Sequence, residues 1–302
     1  MKKRLSLVLI SVVLLSILFS FTASADTGPK PSVRIEFKNM GEEICYATLL
    51  SQRECSGPAR VWDGIEEPDY YIGHESGREQ SNAEGEIVWK NMVEYTDPDN
   101  YYFLQRIWRI EETKELAWTY YPPESFKILL YYPESDTFIS SGIYESYAFD
   151  SYYTVNMEGI DIRDVKQGES ESVLEAEKSY DYTFEVVSLI GRIIVTIAIE
   201  TAIALAFSYR GKREFAVIFT VNVITQIFLN IALNIENFTN GYMAFTAYYI
   251  LFEIIIFIFE AVVYSVAIKD RGKARNVLYS LVSNGFSFGA GLILAHIIPG
   301  IF

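Results

Sequence analysis

The 302-residue chain has only two histidines and two cysteines. Serine or cysteine nucleophiles need a neighbouring base, so His74 and His296 are the sole imidazoles such chemistry can draw on. There is no internal repeat and no GxGxxG, Walker A or HExxH pattern, which removes the usual dinucleotide, nucleotide and zinc-protease signatures. Basic residues are scarce as well. Between Asp26 and Lys178 there are 31 Asp and Glu against 14 Lys and Arg, a net of −17. Nucleic acid and anionic lipid headgroups need basic patches, so neither is expected as a partner of this segment. Cations, basic peptides and cell-wall amines are compatible with it. No cofactor and no metal site is expected.

The first 25 residues fit a secretory signal peptide. Lys2, Lys3 and Arg4 form a basic start, an apolar run follows to Phe21, and Ala23-Ser24-Ala25 is a small-residue cleavage site. No cysteine lies at the cleavage site, which argues against a lipoprotein anchor. Cys45 and Cys55 both fall in the exported part, where export favours a disulfide as the simplest pairing.

Beyond the first 25 residues, long apolar runs are confined to the second half, at residues 184–207, 215–232, 243–268 and 277–298. Each is long enough to cross about 30 Å of hydrocarbon. The loops at 209–213 and 269–275 are strongly basic, and the loop at 234–241 has no Lys or Arg. The positive-inside rule therefore places the two basic loops in the cytoplasm, and the N-terminal domain and Phe302 outside. Lipid is thus an expected partner.

Gly285-Phe286-Ser287-Phe288-Gly289 spells the G-x-S-x-G of a hydrolase elbow. The elbow requires a strand-to-helix turn, and within a bilayer the backbone must form a helix. His296 lies nine residues on, which at about 100° per residue is the opposite helix face. The reading expected here is a close-packing face at Gly285 and Gly289 against a neighbouring helix.

Polar residues inside apolar helices are costly and mark function by default. Glu200, Asn222, Glu260 and Asn284 come one from each run, each about 12 Å by helical rise from its cytoplasmic end. Two carboxyls and two amides should share one layer. A second layer is expected from Arg192, Gln226, Asn230 and Glu253. Three readings compete: structural hydrogen bonding between helices, with Arg192 and Glu253 as a neutralising pair; a proton or cation path in which Glu200 and Glu260 titrate, which four helices would serve best as a homodimer; and a metal site of oxygen ligands.

Residues 26–159 read as an all-β extracellular sandwich, with an immunoglobulin-like arrangement as one option. "SVRIEF" and "ICYATLL" are expected to pair as a hairpin, and "GEIVWKNMVEYT" reads as a short helix or a further strand. Asp97-Pro98-Asp99-Asn100 lacks the spaced acids of a calcium loop and reads as a turn. Residues 160–182 are acidic and read as a linker or stalk, followed by an all-α four-helix transmembrane bundle at 183–302.

The segments "YYFLQ", "YYPPESFKILLYYPE", "YAFDSYYTV" and "VNVITQIFLN" together resemble an uncharacterised family of signal-peptide-bearing four-helix membrane proteins of Gram-positive anaerobes. The resemblance covers nearly all of the mature chain and implies that sandwich and bundle form one unit. It implies no catalytic or binding residue. The chain is expected to be a non-enzymatic accessory or binding protein of the cell envelope that acts with a protein or envelope partner. A small proton- or cation-coupled transporter is the alternative.

Overall fold

The computed structural model describes residues 28–65, 67–74, 77–78, 83–160, 162 and 171–297. The signal-peptide segment, Phe302 and most of 161–170 lie outside the described residues. Two sheets and a helix make the N-terminal region, and four long helices follow. One sheet has four strands in the order β14 (Ala176–Lys178), β12 (Asp150–Asn156), β1 (Ser32–Lys38) and β9 (Glu115–Trp118). The other runs β13 (Glu171–Leu174), β11 (Thr137–Glu145), β10 (Ser125–Tyr132), β2 (Tyr46–Ser51), β8 (Arg106–Arg109), β5 (Tyr71–His74) and β6 (Gly77–Arg78). β7 (Tyr102–Phe103) also pairs with β2, and β3 (Cys55–Ser56) and β4 (Ala59–Arg60) form a separate hairpin. The pairs β1–β12, β5–β8 and β11–β13 are parallel, so both sheets are mixed.

The burial of each strand follows its place. β1 alternates, with Val33, Ile35 and Phe37 turned to the core between the sheets, as one buried face requires. β2 is buried at all six positions because both of its faces are covered. Ala47 and Leu49 face the four-stranded sheet, while Tyr46 and Leu50 lie with Val88, Trp89 and Met92 of helix α1 (Ala83–Glu94). β10 divides the same way, Ile128 and Leu130 to one side and Leu129 and Tyr131 to the other. A third layer, α1, thus covers the outer face of the larger sheet.

Three expectations are corrected here. β1 and β2 form no hairpin: β1 pairs with β12 and β9, and β2 with β10, β7 and β8. The segment expected as a stalk is partly sandwich, since β13 and β14 add one strand to each sheet and Leu174 is buried in the core. Cys45 and Cys55 are free thiols, one buried and one exposed. They flank β2, whose six residues extend about 20 Å at strand rise, whereas a disulfide holds its Cα atoms within about 7 Å. Burial pushes the Cys45 thiol well above its ordinary range. In the folded protein a maleimide should therefore modify Cys55 alone, and Cys45 only after denaturation. Rapid double modification under native conditions would contradict this packing.

The turn at Asp97 holds a cation of its own. Asp97 Oδ1 accepts from the amides of Asp99 at 3.0 Å and Tyr101 at 3.3 Å. Its Oδ2 accepts from Lys127 Nζ at 2.6 Å, and Asp99 accepts from the same ammonium at 3.0 Å. The Lys127 and Asp97 side chains are 1% and 0% exposed, so this is a buried pair that sets the β10 face against the turn.

Helices α2 (Thr183–Ala206), α3 (Lys212–Asn240), α4 (Tyr242–Ala267) and α5 (Lys273–Ile297) are 24, 29, 26 and 25 residues long. Each contacts two others, α2 with α3 and α5, and α4 with α3 and α5, which closes a four-helix ring. Ile190, Ile194, Phe219, Phe228, Ile258 and Ile293 point outward and are more than half exposed. Apolar outside and polar inside is the pattern of helices solvated by lipid, and four of them make this a multi-pass membrane protein.

The two ends of the bundle differ. At one end the basic loops meet: Arg271 Nε donates to Glu214 at 2.8 Å, and Tyr209 Oη donates to Asn276 at 2.7 Å. At the other end the sandwich is seated on the α3–α4 turn. The Phe149 amide donates to the Phe238 carbonyl at 2.8 Å, and the Phe149 carbonyl accepts from Ser32 of β1 at 2.8 Å. The Tyr147 ring lies tilted against Phe238 and the Tyr180 ring meets it edge-on. Sandwich and basic loops therefore occupy opposite ends.

Candidate functional site

Helical spacing brings the expected inner layer together. Glu200 (α2), Asn222 (α3), Glu260 (α4) and Asn284 (α5) are at most 3% exposed. Asn222 Nδ2 donates to Glu200 Oε2 at 2.5 Å and to Tyr264 Oη at 3.1 Å. Glu260 Oε1 accepts from Thr225 at 2.8 Å, and its Oε2 from Asn284 Nδ2 at 2.7 Å and Tyr264 Oη at 3.4 Å. Tyr279 Oη donates to the Glu200 backbone carbonyl at 3.2 Å and lies 3.4 Å from its Oε2. One hydrogen-bonded unit thus ties all four helices. Two acceptors in it have no donor, Glu200 Oε1 and Asn222 Oδ1.

Thr225, Tyr264 and Tyr279 complete the unit and were not expected from the sequence. Thr225 lies three residues after Asn222 and Tyr264 four after Glu260, the spacings that share a helix face. That was the available signal. Asn276 adds a second tie nearer the basic loops, donating to the carbonyls of Tyr264 at 2.9 Å and Ile268 at 2.8 Å.

The second layer is buried but not knitted. Arg192, Gln226, Asn230 and Glu253 are 8, 6, 3 and 6% exposed. Arg192 lies over the rings of Tyr249 at 5.1 Å and Phe245 at 5.8 Å, and its Nε has no hydrogen-bond partner. Among the described residues no direct ion pair joins it to Glu253; the two charges attract at longer range, and aromatic faces lie directly against the guanidinium. Asn230 Nδ2 bonds back to the Gln226 carbonyl at 2.9 Å.

Gly285 and Gly289 also depart from expectation. A Cβ added at either would meet nothing within 4 Å. They line an apolar groove with Ile199 and Phe286 rather than a close helix contact within the chain. Ser287 sits in α5 and donates to the Asn284 carbonyl at 3.1 Å, an ordinary helical bond. Among the described residues, no three His, Cys, Asp or Glu side chains converge as a metal site needs.

The sandwich carries a cleft of about 690 Å³, lined among others by Arg53, Cys55, Tyr121, Pro122, Glu124 and Glu145. Tyr121 has φ +47°, a left-handed backbone that bulky residues rarely adopt. It is held there by Ser56 Oγ, which donates to its carbonyl at 2.9 Å, and by Gly57, where a Cβ would come within 2.7 Å of the Tyr121 Cβ. Arg53 pairs with Glu124 at 3.1 Å, and Glu145 adds a second acid to the rim. From Glu145 and Ser146 the chain runs directly to Tyr147 and Phe149, the residues seated on the bundle.

No protein-family model matches the chain, and neither a curated protein nor a solved structure matches it.

Proposed function

We propose that this multi-pass membrane protein is an accessory or binding protein of the cell envelope, with its acidic domain outside and its basic loops in the cytoplasm. The observation that carries the reading is the cleft around Tyr121. A backbone residue held in a sparsely populated conformation at the mouth of a concave site is the kind of strain found at ligand clamps. The cleft offers the acid Glu145 beside the Arg53–Glu124 pair and a Tyr121 ring that already takes the Lys30 ammonium at 5.6 Å. Such a face suits an amine-bearing envelope ligand or a basic peptide in competition with Lys30. The bundle is then the seat that holds the cleft at a fixed height above the membrane.

The test uses the full chain in detergent and isolated cell-wall sacculi. Binding should fall when the sacculus amines are acetylated, and fall as strongly in a Tyr121→Ala, Glu145→Gln variant on untreated sacculi. Binding indifferent to both changes would remove the reading. In intact cells, an impermeant maleimide should reach Cys55, and failure to label it would count against an external cleft.

A coupled transporter is the second reading, favoured by the paired carboxyls of the inner layer. It predicts pH-dependent ion flux in liposomes containing the purified chain.

A further inference from the structure

We propose that Glu200 is a proton-binding site: its carboxyl carries a hydrogen and pairs with the Asn222 amide in a two-bond acid–amide ring, while Glu260 carries the negative charge of the layer. The assignment comes from counting hydrogens. Every oxygen of the Glu260 carboxyl faces a donor: Oε2 receives Asn284 and Tyr264, and Oε1 receives the Thr225 hydroxyl at 2.8 Å, a shorter contact than the 3.1 Å from the same hydroxyl to the Asn222 carbonyl. That is the surrounding of a carboxylate, which only accepts. Glu200 is different. Its Oε2 receives the Asn222 amide at 2.5 Å, but its Oε1 has no donor, and neither does the Oδ1 of the same asparagine.

Two orphan acceptors on two side chains already in contact lack one hydrogen between them. A carboxyl hydrogen on Glu200 supplies it, completing the second arm of the ring with Asn222 Oδ1. Turning the asparagine amide over does not serve instead. It would place Oδ1 where Nδ2 now lies, 3.0 Å from the Ile218 carbonyl, oxygen against oxygen. A divalent cation does not serve either, because Mg²⁺ and Ca²⁺ take about six to eight oxygens and two are free. Left unfilled, each buried acceptor costs on the order of a lost hydrogen bond.

The neighbours point the same way. Facing Glu200, α4 presents Glu260, Tyr264 and, farther out, Glu253, and α5 presents Tyr279. α3 presents the neutral Asn222 and Thr225, with Glu214 away at the basic-loop end. On α2 itself the other charged residues are Arg192, eight residues away over the Tyr249 and Phe245 rings, and Glu185 in the first turn. Among the described residues no cation lies against the inner layer to balance two carboxylates, and two adjacent carboxyls in a dry interior do not both ionise. Loss of the Glu200 proton would put a second charge into the layer and two acceptors on the α2–α3 contact, so proton binding and helix packing are linked here.

Infrared difference spectroscopy of the full chain in nanodiscs tests this. At neutral pH the wild type should show the carbonyl band of a protonated carboxyl, shifted by deuteration. Glu200→Gln should abolish it, while Glu260→Gln keeps it. Glu200→Gln should also leave the thermal midpoint near wild type, because the new amide donates to Asn222 Oδ1 as the acid hydrogen does. Asn222→Ala should move the band to the position of a carboxyl without hydrogen bonds, which checks the ring without altering Glu200. Absence of the band in wild type, or its loss in Glu260→Gln but not Glu200→Gln, overturns the assignment. A midpoint that falls when choline replaces Na⁺, in wild type but not in Glu200→Gln, assigns the site to a metal cation and overturns it too.

Discussion

Lys127→Met should lower the stability of the sandwich by about 3–5 kcal/mol, the cost of leaving one member of a buried ion pair alone. The reason is the geometry at the Asp97 turn, where a carboxylate with a fully buried side chain receives the ammonium at 2.6 Å. Methionine fills the volume but strands the Asp97 charge. All four tryptophans, Trp62, Trp89, Trp108 and Trp118, lie in the sandwich, so their fluorescence reports its unfolding within the intact chain. The urea midpoint should fall by more than about 1 M, given ordinary m-values. Adding Asp97→Asn should recover most of the loss, since removing both charges avoids the stranded one. An unmoved midpoint in Lys127→Met would mean that the pair contributes nothing.

The pH dependence has a definite sign. Burial alone would depress the Lys127 ammonium, but the hydrogen bonds it donates to Asp97 and Asp99 outweigh it and hold the group above its ordinary 10.5. A group whose folded value exceeds its unfolded one contributes fully below the unfolded value and loses that contribution as pH rises through the folded value. From neutral pH upward, the difference in stability between wild type and Lys127→Met should therefore be flat to about pH 10 and shrink above it. Shrinkage near neutrality would place the titrating group elsewhere.

The bundle was legible because its physics is local. Apolar runs fix four spans, charge in short loops separates their ends, and one polar residue per span at matched depth produced the Glu200–Asn222–Glu260–Asn284 layer. Helical rise converts sequence offset into depth without any knowledge of packing. Thr225, Tyr264 and Tyr279 escaped because threonine and tyrosine are unremarkable in a span until a carboxyl is placed beside them. The sandwich was legible only as a class. Ser32 pairs with Asp150, and nothing local encodes a partner 118 residues away. The adjacency of "SVRIEF" and "ICYATLL" suggested a hairpin, but a strand buried on both faces, as β2 is, belongs to the middle of a covered sheet. The cysteine pairing failed for a related reason, because compartment says whether a bridge is permitted and an intervening strand decides whether it can close. In the acidic stretch before α2, Leu174 carries the only strong core signal of β13, and the surrounding glutamates obscured it.

The second large effect is expected at Gly241, which joins the sandwich to the bundle. Its φ of +79° and ψ of 178° lie in a region that essentially only glycine occupies, at a cost of about 1–3 kcal/mol for other residues. Space is short as well. A Cβ at this position would stand 2.6 Å from the Phe149 ring, and Phe149 is the residue whose amide donates to the Phe238 carbonyl. Gly241→Ala should therefore strain the α3–α4 turn and unseat the sandwich together. Tryptophan fluorescence should report a lower midpoint for the sandwich. Gly41→Ala, at a position where a Cβ meets nothing within 4 Å, should leave it unchanged. Phe149→Ala separates the two causes, because truncating the ring removes the collision but not the backbone strain. If contact dominates, Gly241→Ala should cost less in the Phe149→Ala background than in wild type, and an equal cost in both would assign the effect to the backbone. A Gly241→Ala protein as stable as Gly41→Ala would show that the sandwich does not rest on the α3–α4 turn, and that the path from the cleft through Glu145 and Tyr147 ends short of the helices.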